Sequence, residues 1–167
     1  MKHFVIPIAT VAEQSADFRR VLWTGRHAQL VIMTIPPGGE IGEEIHEDTD
    51  QILTFVSGTG EAIVAGQTHQ IAQGDLVAVP AGTRHNFRNT GVNPLVLYTV
   101  YGPPEHPDGV VHATKEEADA AEISSQDADA RDLDTRDKDP QRSVSAVQAQ
   151  ISPPKSGSLG IGSLKGR

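Results

Sequence analysis

Up to residue 113 the chain is cut into apolar runs of four to eight residues, each stopped by glycine, proline or another turn former. That punctuation constrains the fold more than any other feature. Runs of this length are strands, and many short strands at even spacing make a sandwich or a closed barrel. The predicted strands are Phe4 to Ile8, Arg20 to Trp23, Ala28 to Ile35, Asp50 to Val56, Glu61 to Ala65, Thr68 to Ile71, Asp75 to Val79, His85 to Arg88 and Leu95 to Tyr101. Gly66-Gln67 reads as a two-residue hairpin turn. Gly58, Gly74 and Gly82 read as turn glycines, and Pro80 as a strand terminator. One helix is predicted from a capping box, with Thr114 at N-cap and Glu117 three residues on.

Composition sets the class. With 167 residues, 37% hydrophobic content and 22% charged content, the chain can build one ordinary core and carry a polar extension. The net charge of −8 argues against a nucleic-acid partner. No run of eighteen apolar residues predicts a membrane span, and the first residues lack a secretory h-region. Cysteine is absent, which excludes disulfides and thiolate ligands. A cytoplasmic protein is the expectation.

Two segments carry the chemistry: Gly38-x5-Glu44-x-His46-x4-Gln51-x6-Gly58 and Gly74-x5-Pro80-x-Gly82-x2-His85-x3-Asn89. Glu44 and His46 are two apart and face the same way on extended backbone. Gln51 opens the next strand and can return beside them. His85 starts another strand after a Pro/Gly turn. Four N and O donors can therefore converge in the mouth of one barrel. Such a set suits a single divalent Fe, Mn, Ni, Co or Zn ion, with two positions left open in an octahedron. Glu44 is the one anion, so the loaded site keeps a net positive charge that favours an anionic substrate or a deprotonated hydroxyl. Glu44 is also the candidate for a base, should it leave the metal. Met33, Phe55, Phe87 and Tyr98 can line a substrate pocket or fill the core, and His106 can reach the pocket from the segment after the last strand. His27 and His69 are expected to face solvent.

These segments resemble the two motifs of the cupin superfamily over about residues 25 to 105. The second motif fits throughout. In the first, Glu44 stands where the usual His would be and Gln51 where the usual Glu would be. The resemblance implies a double-stranded β-helix, or jelly-roll barrel, over residues 1–123. It also implies a metal-dependent enzyme, often dimeric, acting on a small organic substrate as an oxygenase or as an isomerase or lyase. A non-catalytic cupin that binds metal or a small molecule is the alternative.

Composition changes near residue 123. Residues 124–155 mix opposite charges with few apolar side chains and read as a disordered linker, spanning on the order of 30 Å. Hydrophobicity returns in residues 156–167. The run Ser158, Leu159, Gly160, Ile161, Gly162, Ser163, Leu164, Lys165 is similar to the cargo-loading peptides of encapsulin systems. That likeness implies docking on the inner surface of an encapsulin shell, with three aliphatic side chains in small apolar pockets.

Overall fold

The computed structural model describes residues 3–124, and the linker and shell-targeting peptide expected at 124–155 and 156–167 lie outside the described residues except for Ser124. The fold is that of the unit Met1–Ile123. The order is α1 (Ile8–Glu13), β1 (Arg19–Thr24), β2 (Gln29–Ile35), β3 (Asp50–Ser57), β4 (Thr59–Val64), β5 (Gln67–Ala72), β6 (Leu76–Val79), β7 (His85–Asn89), β8 (Leu95–Gly102) and β9 (Val111–His112). Residues 115–124 are helical and are called α2.

All strand pairs are antiparallel. A six-stranded sheet runs β6-β3-β8-β2-β1-β9, and a three-stranded sheet runs β5-β4-β7. The segment before β3 extends the smaller sheet beside β7 through bridges Glu40↔Arg88 and Glu44↔His85. This is the all-β jelly-roll expected from the sequence, and the turns fall close to where glycine and proline place them.

Period-two alternation aims the side chains. Along β8, Leu95, Leu97, Thr99 and Tyr101 are buried at 0 to 1% exposure and face the barrel interior. Met33, Phe55 and Phe87 join them in the main core, the last two with ring centroids 5.8 Å apart. The other face of the large sheet carries a second cluster, in which Ile8, Val11 and Ala12 of α1 pack on Ile32, Val56 and Val96.

Antiparallel pairing sets the starts of β2 and β3 beside the end of β8, and the residues there make that end of the interior polar. Gln29 opens β2, Gln51 opens β3 and Tyr101 lies near the end of β8. The registers Gln29↔Tyr101 and Gln51↔Tyr101 place all three in one cross-strand row. That row is the rim of the site.

Three local expectations are corrected. Phe4 to Ile8 is not a strand: Phe4 and Val5 are exposed, and Ile8 begins α1 directly after Pro7. Proline has no N–H for a ladder and is well placed at a helix start. The β4–β5 hairpin turns on Ala65-Gly66, one residue earlier than expected. Both residues have positive φ (50° and 77°), as a type I′ turn requires, and Val64 pairs Gln67. Two helices are present among the described residues where one was expected. β9 is only two residues long, too short for any periodic signal. The Thr114 cap holds: the Glu117 N–H donates to Thr114 Oγ1 at 3.3 Å, while the Glu117 carboxylate accepts from Ala113 N.

Candidate metal centre

Glu44 and His85 are brought together by the backbone. Glu44 N donates to His85 O (2.9 Å) and His85 N donates to Glu44 O (3.0 Å), the reciprocal pair of an antiparallel bridge. Gly82 N donates to His46 O at 2.8 Å, so the same pairing reaches past His46. Extended backbone then sends Glu44 and His46 to one face, as their spacing predicts.

Glu44, His46 and His85 each offer a ligand atom, and these atoms lie within 4.8 Å of one another, so the group can hold a metal ion. Glu44 Oε2 is 3.4 Å from His46 Nε2 and 3.9 Å from His85 Nε2. The two imidazole centroids are 5.3 Å apart. Gln51 is linked to them through Tyr101. Its Nε2 donates to the Tyr101 hydroxyl at 3.0 Å, and the Tyr101 ring stands edge-on to His46 at 5.6 Å.

Unsatisfied atoms test whether this group suits a cation. His46 Nε2, His85 Nε2 and Gln51 Oε1 are buried without a hydrogen-bond partner. Buried polar atoms seldom go unpaired unless a ligand completes them. The far nitrogens are fixed. His85 Nδ1 is 2.7 Å from the Thr83 carbonyl, which can only accept, so this nitrogen carries the proton and Nε2 presents its lone pair. His46 Nδ1 is 3.1 Å from Glu105 Oε1, a carboxylate that fixes the ring in the same sense. The residues fit the group.

Electrostatics favour a cation too. Burial works against a charge on His46, but the neighbouring Glu105 and Glu44 carboxylates outweigh it and push its pKa up to about 9. A positive charge is thus already stabilised at this point. Glu105 is held down to about 2 by its hydrogen bond with His46, against the effect of burial. Burial opposes ionisation of Glu44, but His46 and the Arg19 guanidinium outweigh it and keep its pKa low. Burial pushes His85 down, toward the neutral form that binds metals.

The pocket residues expected from sequence divide. Met33, Phe55 and Phe87 are core, with Phe87 forming a floor 6.0 Å from the His85 ring. Tyr98 is corrected: it packs in the outer cluster with α1, on the opposite face of β8 from Tyr101. His106 does reach the site, edge-on to Tyr101 at 5.0 Å, with Nε2 unpartnered. Burial and then Arg19 lower its pKa to about 4, so it stands neutral. His27 and His69 are exposed, as expected.

Sequence reading missed Arg19, Gln29, Tyr101 and Glu105. Arg19, at 2% exposure, places NH2 3.3 Å from Glu44 Oε1 and NH1 2.6 Å from Glu122 Oε1 of α2. The available signal was a polar residue in the inward phase of an otherwise apolar strand. Gln29 and Tyr101 satisfy it.

Comparison with known proteins agrees with the fold. Residues 31–101 match the family model described as the cupin domain. The uncharacterised protein YrkC of Bacillus subtilis is 42% identical over 128 residues, covering 72% of this chain and 68% of that protein. The crystal structure of BH2720 from Bacillus halodurans superposes with a TM-score of 0.70 at 41% identity, covering 71% of this chain and 95% of that one. Quercetin 2,3-dioxygenase of Bacillus subtilis is 26% identical over 105 residues, covering 62% of this chain but 31% of that protein.

Proposed function

The chain belongs to the cupin family, and on that premise we propose that it is a metal-dependent enzyme for a small organic substrate, carried as cargo into an encapsulin shell. The observation that carries the chemistry is the set of three buried polar atoms without hydrogen-bond partners, on His46, His85 and Gln51, beside the Glu44 carboxylate. Glu44, His46, Gln51 and His85 would hold one divalent Fe, Mn, Ni, Co or Zn ion, a choice consistent with mixed imidazole, carboxylate and amide donors. An ion bound there supplies Lewis-acid or oxygen chemistry.

The chain's own side chains do the rest. The Phe87 and Phe55 rings keep water from the floor of the site. Arg19 occupies one oxygen of Glu44 and leaves the other facing the two imidazoles. Neutral His106 offers a free ring nitrogen to a substrate hydroxyl or carboxyl. Glu44 and His46, with side chains 15% and 11% exposed, mark the way in from solvent. Similarity to a protein named as a dioxygenase favours oxidative chemistry over isomerisation or lysis.

Shell loading rests on the sequence of residues 158–165, and pairing of two barrels would give each particle two such tails and added avidity. For the chemistry, the decisive measurement is elemental analysis of protein purified without added metal, followed by an oxygen-electrode screen of small phenols, enols and organic acids. Stoichiometric redox-active metal with substrate-dependent oxygen uptake is expected. Turnover without oxygen would move the reading to an isomerase or lyase. Bound metal with no turnover would leave a binding module, and a site that stays empty after reconstitution would overturn the metal reading.

A further inference from the structure

The segment after β8 folds back to the rim, and one buried side chain ties it there. Gln29 is completely buried at the start of β2. Its Oε1 accepts from His106 N at 2.9 Å and from Glu105 N at 3.3 Å. Its Nε2 donates to His106 O at 2.7 Å and to Thr24 Oγ1 at 3.0 Å. A single carboxamide thus satisfies three main-chain groups of two consecutive residues. Leaving a buried carboxamide unpaired is costly, so this pairing sets where the backbone of residues 105 and 106 must lie.

The consequence appears at the side chain of Glu105. Its carboxylate lies 3.1 Å from His46 Nδ1. A carboxylate on the remote nitrogen of a metal-binding histidine fixes which nitrogen faces the ion and makes it a better donor. Among the described residues, no other hydrogen bond reaches His46 Nδ1.

We propose that Glu105 is the positioning residue that aims His46 Nε2 into the metal centre, and that Gln29 holds Glu105 in place by clamping the main chain of residues 105 and 106. This rests on the metal reading given above. It makes residues 103–110 a strap that completes the site from outside the two motifs, and it gives β2 a role in metal affinity although no ligand lies on that strand.

The test uses the full chain with zinc as the probe ion, titrated against a chromophoric chelator. In Glu105→Ala the zinc affinity is expected to fall about 10- to 100-fold. Glu105→Gln keeps an oxygen that can accept from Nδ1–H and should lose less. In zinc-loaded protein the His46 Nδ1–H proton should give a persistent, downfield NMR resonance, and Glu105→Ala should lose it to exchange with water. Gln29→Met retains length and volume but removes the clamp. It should speed hydrogen exchange at the amides of residues 105 and 106, lower zinc affinity, and add little further loss when combined with Glu105→Ala.

If wild-type protein binds no zinc or other divalent ion, the metal reading fails and this inference falls with it. If wild-type binds and Glu105→Ala binds within about twofold of it with the Nδ1–H resonance intact, the inference alone is overturned. If Gln29→Met does not fold, the two Glu105 variants and the NMR signal still decide the role of Glu105. If it folds with unchanged exchange and affinity, the role of Gln29 is rejected.

Discussion

Arg19 shows how one residue ties the candidate metal centre to the rest of the barrel. A guanidinium at 2% exposure is tolerated because Glu44 and Glu122 each give it a carboxylate oxygen. Removing one partner of a buried pair leaves the other charge uncompensated, commonly at a cost of about 3–5 kcal/mol. Arg19→Met is expected to lower the stability of metal-free protein by less than that, about 1–3 kcal/mol, since Glu44 is only partly exposed but keeps His46 beside it. A bound cation would compensate Glu44 in its place, so metal-loaded Arg19→Met should lose less. Urea unfolding of wild-type and variant, each with and without zinc, measures both. An equal loss in the two states would mean that Arg19 acts through packing or Glu122, and not through Glu44.

At the scale of elements, the hairpins and glycines set the register that the site depends on. Ala65 occupies the left-handed position of the β4–β5 turn, which costs an L-residue about 1–2 kcal/mol. Ala65→Asn produces the Asn-Gly pair that type I′ turns favour, and stability should rise by about 1 kcal/mol. Gly60 is the opposite case. A Cβ there would meet the Arg88 carbonyl oxygen at 2.2 Å and Leu95 Cδ2 at 3.0 Å, because β4 runs against β7 under the core. Gly60→Ala should destabilise by about 2–3 kcal/mol through overpacking of this strand pair. Denaturant midpoints check both, and zinc affinity should follow Gly60→Ala downward because β7 carries His85.

For the whole molecule, the barrel and the peptide at residues 158–165 are expected to act independently. Removal of Ser158 to Arg167 should leave the melting temperature and the metal content unchanged while abolishing co-purification with an encapsulin shell. Shell loading that survives the truncation would reject the address. Metal, in contrast, should act on the barrel: at a free concentration 100-fold above its dissociation constant it stabilises the folded state by about 2.7 kcal/mol. A melting temperature insensitive to divalent ions would count against the centre. Among the described residues no helix is long and apolar enough to cross a membrane.

The run of short apolar segments and their Gly/Pro stops determined from sequence alone that the chain is a sandwich or a closed barrel of short strands, and the resemblance of its two motifs to cupins narrowed this to a jelly roll. The spacing of Glu44, His46 and His85 also marked the three residues that gather around one point. These properties are local: strand period, turn chemistry and the i, i+2 rule act within a few residues. The tertiary structure decided the rest. Tyr98 and Tyr101 look alike in a seven-residue apolar run, and only the pairing of β8 with β2 and β3 places Tyr101 beside Gln51 and turns Tyr98 outward. Arg19 meets Glu122 across 103 positions of sequence, and Gln29 meets His106 across 77. No local pattern encodes such contacts, because they depend on how strands distant in sequence pair in one sheet. The candidate ligands were therefore legible as residue types at a spacing, and the neighbours that orient them became legible only when the barrel closed.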